Sequence, residues 1–182
     1  MTKANWRPVA LSLTVLGAIA RLAPHPPNFV PVGATSLFAG ARLPPWQAYL
    51  VPLALLAVTD PILSPLYGFH AYSRYSLFTY VGFLISVWLG RHFLRNTEKI
   101  SRIAAVTLLN SIQFFLITNF GSWLWFPGYP KTAAGLATCY TVAIPFFGWT
   151  LAGDILYTGV LFGLYAWLSR TVASNERVPV AA

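Results

Sequence analysis

The sequence predicts an all-α integral membrane protein: a bundle of about six transmembrane helices with a short second helix and a long structured outer loop. Three observations carry this expectation. Of 182 residues, 57% are hydrophobic and only 9% charged, where a soluble domain carries roughly 25% charged residues. The mean hydropathy is +0.62, and a chain this short cannot enclose so much apolar surface in one water-soluble core. The charged residues, 12 Lys+Arg against 4 Asp+Glu with a net charge of +8, lie mostly between apolar runs. That is the pattern of membrane topology rather than of a nucleic-acid surface, so no nucleic-acid partner is expected.

The first apolar run, about Pro8 to Ala23, follows a basic N-terminus but has no small-residue cleavage site before a polar mature domain. It is expected to be kept as a helix rather than removed as a signal peptide. On it Ala10, Thr14 and Ala18 fall four apart, a small-residue face that lets another helix approach closely. That face suits packing within the chain or docking of a partner. Pro24, Pro26 and Pro27 cannot be helix interior, and the next apolar run, Phe29 to Ala41, would rise only about 20 Å as a helix. The hydrocarbon core is about 30 Å thick, so this second segment is short and needs a protein-lined setting. Short, Pro/Gly-interrupted apolar segments point to binding sites in transporters.

A third helix is expected from about Trp46 to Asp60, bent at Pro52, followed by a loop from Pro61 to Ser73. The fourth runs from about Tyr75 to Phe93 and the fifth from about Arg102 to Asn119. The stretch Phe120 to Phe147 is aromatic and broken by Gly and Pro. It reads as a folded outer loop with a short helix near Thr132 to Thr141. The last helix is expected from about Gly148 to Leu168, with Gly159 and Gly163 forming a GxxxG close-packing motif. One transmembrane domain then covers residues 1–182, with tails at 1–7 and 170–182.

Basic residues orient the bundle. With the N-terminus inside and six helices threaded, Lys3, Arg7, Arg42, Arg91, Arg95, Lys99, Arg102, Arg170 and Arg177 are cytoplasmic. Only Arg21, Arg74 and Lys131 face outward. This bias places both termini in the cytoplasm of a bacterial inner-membrane protein. It also gathers the three unusual connections on the outer face: the Pro-His-Asn segment, the Tyr-His loop and the aromatic loop.

Asp60 and Asp154 are the only acids outside the cytoplasmic links, and a carboxylate at membrane depth marks a partner or a function. Pairing with Arg21 or Arg74 is one reading; contact with a substrate or coupling to protons are others. Asn28, Asn110, Gln113 and Asn119 are amides in apolar context, suited either to inter-helix hydrogen bonds or to a ligand pocket. His25 and His70 match no metal-ligand spacing, and no metal or cofactor is expected. The lone Cys139 excludes an internal disulfide. The rings of Trp123, Trp125, Tyr129, Tyr140, Phe146, Phe147 and Trp149 suit an interfacial belt or a pocket for a planar apolar molecule. No GxSxG, HExxH or Gly-rich phosphate loop is present, so an enzyme is not expected.

Several stretches together resemble a bacterial membrane family labelled as transport proteins. They include Arg21 through His25-Pro26-Pro27-Asn28-Phe29, Pro31-Val32-Gly33-Ala34, Leu37-Phe38-Ala39-Gly40 and Val51-Pro52-Leu53 with Asp60. Further along are Thr118-Asn119-Phe120-Gly121 with Trp123, Tyr129-Pro130-Lys131-Thr132, Cys139-Tyr140, Ile144-Pro145-Phe146-Phe147 and Gly153-Asp154. Size and helix count are also similar to the S-components of energy-coupling-factor vitamin transporters. That resemblance implies outer loops that cradle a vitamin or its precursor, and a first helix that docks to a transmembrane coupling protein with ATPase subunits through Ala10, Thr14 and Ala18. The expected function is capture of a small organic molecule for uptake, with Asn28, Asp60, His70, Asn119, Trp123, Tyr129, Tyr140 and Asp154 at the site. The rivals are a structural or assembly subunit without a pocket, and a membrane enzyme acting on a lipid-like substrate.

Overall fold

A computed structural model of the chain describes residues 6–95 and 97–175. Lys3 and Arg177 lie outside them. Among the described residues there are six α-helices and no strand: α1 (Arg7–Ile19), extended by a 3-10 turn (Ala20–Leu22), α2 (Val32–Arg42), α3 (Pro45–Tyr67), α4 (Arg74–Phe93), α5 (Ile100–Trp125) and α6 (Ala133–Asn175). Three of them, α3, α5 and the Ala133–Thr171 part of α6, are long and apolar enough to cross a membrane. One face of α3 shows why lipid suits it. Leu50, Val58, Ile62 and Leu66 follow the four-residue helical repeat and are 52 to 73% exposed, an apolar stripe that water would penalise.

The shortest helix is the centre of the bundle. All residues of α2 from Val32 to Ala41 are buried, and every other helix packs on it. With 11 residues it rises about 16 Å, roughly half the hydrocarbon thickness. A polar helix end inside the bundle is tolerable because protein, not lipid, surrounds it. Glycines set how closely α4 approaches. A Cβ on Gly40 would overlap the Val87 carbonyl, and one on Gly90 would overlap the Leu37 carbonyl, so the two backbones touch directly. Phe38 fills the other side, edge-on to Phe162 at 5.2 Å and to Tyr165 at 5.6 Å. Ala10, Thr14 and Ala18 are buried on a helix that packs against α2, α3 and α6. The small-residue face of α1 is therefore used within the chain and is not presented to a partner.

Two expected loops are helical. The segment Pro61 to Ser73 is α3 as far as Tyr67, and only residues 68–73 connect α3 to α4. Each proline removes one N–H and frees the carbonyl four residues earlier. Tyr72 OH donates to the Ala57 carbonyl freed by Pro61, at 2.6 Å. Ser64 Oγ donates to the Pro61 carbonyl freed by Pro65, at 3.3 Å. Gly68, with φ of 68°, ends the helix in the left-handed region that suits glycine. The aromatic stretch Phe120 to Phe147 is likewise mostly helix, since α5 extends to Trp125 and α6 begins at Ala133 and runs through Pro145. Only residues 126–132 form the connection. The helix α6 also reaches Asn175, past the expected end at Leu168 and into the stretch expected as a tail.

Candidate functional site: a polar-and-phenylalanine vestibule

At the end of the bundle carrying residues 24–31, 68–73 and 126–132, the helices enclose a cavity of about 740 Å³. Asn28, Asp60, His70 and Asn119 all line it. Local structure explains the position of Asn28. The Phe29 N–H donates to the Pro26 carbonyl at 3.1 Å, closing a turn with Pro27 and Asn28 at its centre. Asn28 has φ of 64°, as the third residue of a type II turn requires, and Asn tolerates that region better than most residues. Beside it, phenylalanines from α4, α5 and α6, including Phe83, Phe114, Phe115, Phe146 and Phe147, supply apolar wall.

One wall of the cavity is a buried ion pair. Arg21 Nη1 donates to Asp60 Oδ1 at 2.9 Å and to Thr59 Oγ1 at 2.9 Å. Tyr80 OH reaches Asp60 Oδ2 at 3.4 Å. The Arg21 Nε–H is buried without a hydrogen-bond partner. His25 supports the arrangement from behind. Its ring stacks on Tyr67 at 5.4 Å, Nε2 lies 3.1 Å from the Arg21 carbonyl and Nδ1 lies 2.9 Å from the Pro26 carbonyl.

Asp154 is elsewhere. It is 2% exposed and does not line the cavity; it meets the N-terminus of α2. Its carboxylate accepts from Ser111 Oγ at 2.7 Å, from Asn110 Nδ2 at 3.3 Å and from the Ala34 backbone N–H. Gly33 leaves the room, since a Cβ there would overlap the carboxylate. The first N–H groups of a helix are orphans and carry the positive end of its dipole. Here a side chain from α6 supplies the cap that α2 lacks locally. Gln113 extends the network to α4, donating to the Gly82 carbonyl, Ser86 Oγ and Asn110 Oδ1 at 3.2 to 3.3 Å.

A family model described as a family of unknown function, DUF6580, matches residues 2–177. The chain belongs to that family. No curated protein and no solved structure matches it. The match spans the vestibule, the Arg21–Asp60 pair and the Asp154 cap alike.

The expected aromatic contacts divide. Tyr129 and Cys139 line a recess of about 350 Å³ that shares Asn119, Phe126 and Phe146 with the vestibule. Trp123 and Tyr140 line neither space. Trp123 Nε1 donates to the Pro130 carbonyl at 2.9 Å, and Lys131 Nζ donates to the carbonyls of Trp123, Phe126 and Tyr129. Together they close the C-terminus of α5. Tyr140 OH donates to the Leu116 carbonyl at 2.7 Å, tying α6 to α5. Phe146 and Phe147 were among the rings suited to a pocket, but Arg21, Phe83, Phe114 and Phe115 were not among the expected site residues. The adjacent pair Phe114-Phe115, just past Gln113, was the available signal. Among the described residues no group of three His, Cys, Asp or Glu side chains could hold a metal ion.

Proposed function

We propose that this protein captures a small organic molecule in the vestibule for uptake across the bacterial inner membrane. The observation that carries this is the cavity itself. About 740 Å³ of space lies within the range of small-molecule sites, roughly 300–1,000 Å³. It is walled by phenylalanines together with polar groups that include Arg21, Asn28, Asp60, His70, Asn119 and several Ser and Thr hydroxyls. An assembly subunit without a ligand would be expected to fill such a space with side chains. In this reading the bundle crosses the membrane six times, both termini are cytoplasmic, and the vestibule opens to the outside. The half-length α2 supports it, because its end at membrane depth leaves the room above it that the vestibule occupies. The resemblance to S-components implies a vitamin or its precursor as that molecule. A transmembrane coupling protein with ATPase subunits would have to dock on a surface other than Ala10, Thr14 and Ala18.

Native mass spectrometry of the detergent-purified protein tests the proposal. The expected result is a retained small molecule that is lost on Asn28→Ala and Asn119→Ala. An assembly role predicts no such molecule, and co-purifying membrane subunits in its place. Retention unchanged in both variants would place the molecule outside the vestibule.

A further inference from the structure

A second groove lies at the opposite end of the bundle, where Arg42 Nη1 and Nη2 donate to the carbonyls of Leu94, Arg95 and Thr97 at 2.9 to 3.1 Å. It has a volume of about 510 Å³ and runs between the start of α5 and the second half of α6. Its floor is made by Gly159, Gly163 and Ala166, flanked by Phe162 and Trp167. Several other helical glycines, such as Gly33, Gly40, Gly82, Gly90 and Gly121, lie close against a neighbouring element. Gly159 and Gly163 do not: a Cβ on either would meet nothing within 4 Å. Glycine costs about 1 kcal/mol relative to alanine inside a helix, so an unpacked pair one turn apart is unexplained by packing within the chain.

Polar groups in the same groove also lack partners. Thr158 is 2% exposed, and its Oγ1 makes no hydrogen bond. Arg42 Nε is buried and unpartnered, while the guanidinium lies over the rings of Phe162 and Tyr165 at 5.1 and 5.2 Å. Arg170 lines the groove mouth and pairs with Glu98 at 3.0 Å. Two arginines against one glutamate leave the groove net positive. From Thr158 to Thr171 the groove follows about 20 Å of helix, a little more than one leaflet of hydrocarbon.

We propose that this groove binds an anionic phospholipid. Its phosphate would lie beside Arg42, whose guanidinium sits over Phe162 and Tyr165, with Arg170 adding positive charge at the mouth, and the space over Gly159 and Gly163 would admit the glycerol backbone. Basic pockets between membrane helices on the cytoplasmic side suit such headgroups. A second copy of the chain fits less well. Copies inserted in one orientation pair about an axis along the membrane normal, which would bring the same basic groove ends together. The proposal rests on the membrane setting and not on the uptake reading.

The test uses the full chain in detergent with phosphatidylglycerol or phosphatidylcholine of identical acyl chains, read by native mass spectrometry. The variants are Gly159→Leu and Gly163→Leu, which fill open space and leave the vestibule untouched. Retention of phosphatidylglycerol over phosphatidylcholine, lost in the variants while their thermal midpoint is kept, is the expected result. Equal retention of the two lipids, or adducts unchanged in the variants, would overturn the proposal. So would a wild-type dimer in lipid-free detergent that the variants convert to monomer, because the occupant would then be a second copy.

Discussion

Replacing Asp154 by leucine keeps the branched shape and the number of heavy atoms, though methyls are bulkier than oxygens, and removes the acceptor for three donors. Ser111 has a fallback, since its hydroxyl also lies 3.2 Å from the Thr107 carbonyl. Asn110 Nδ2 and the Ala34 N–H are left without the carboxylate they point to. A buried donor without a partner costs about 1–3 kcal/mol, and removing the anion from the α2 N-terminus adds up to about 2 kcal/mol. Relief of the carboxylate's own burial offsets part of this, and a net loss of about 3 kcal/mol is expected. For a chain of this size that corresponds to a thermal midpoint lower by roughly 6–12 °C. Asp154→Asn keeps one acceptor oxygen and should lose about 1–2 kcal/mol. Tryptophan fluorescence on heating in detergent reads both. A leucine variant melting within about 2 °C of wild type would refute the view that Asp154 caps α2, and would return it to the list of candidate ligand contacts.

Other packing claims are equally exposed to test. Gly90→Ala should destabilise by about 1–3 kcal/mol through overpacking, because the Leu37 carbonyl occupies the space its methyl needs; Gly148→Ala, with nothing within 4 Å, should be neutral or stabilising by up to about 1 kcal/mol. Arg21→Gln alone should cost about 3–5 kcal/mol by leaving Asp60 buried and unpaired, while the double change Arg21→Met with Asp60→Leu should cost less; chemical denaturation of the two variants beside wild type decides it. Tyr72→Phe removes the hydroxyl that serves the Ala57 carbonyl and should cost about 0.5–1.5 kcal/mol, read as faster proteolysis near residues 68–73.

Parts of this architecture were legible in the residues alone. The prolines before Phe29 and at 44–45 fixed α2 as short, and the Ser73 capping box with Ser76 agrees with a start expected near Tyr75. Other parts depended on distant partners. Nothing near Pro61 announces that Tyr72 will satisfy the carbonyl it frees, so α3 was expected to stop at Asp60. The same holds for α6, where Pro145 and the surrounding rings suggested a loop. In apolar surroundings a continuous helix satisfies more backbone than any loop could. The candidate site divides along the same line. Asn28 and His70 reach the cavity from connections, and Asp60 and Asn119 from within the last two turns of α3 and α5, all at one end of the bundle. Asp154 looked similar in sequence, yet its role depends on where the start of α2 falls in space. Trp123 and Tyr140 bear rings suited to a ligand, but their donors serve the ends and seams of α5.

Orientation of the vestibule is the point on which uptake turns, and thiol labelling in whole cells measures it. With Cys139 replaced by alanine, His70→Cys and Asn119→Cys each carry the only thiol in the chain. A membrane-impermeant maleimide should label both from outside intact cells. Labelling of either only in inside-out vesicles would contradict capture from the outer face.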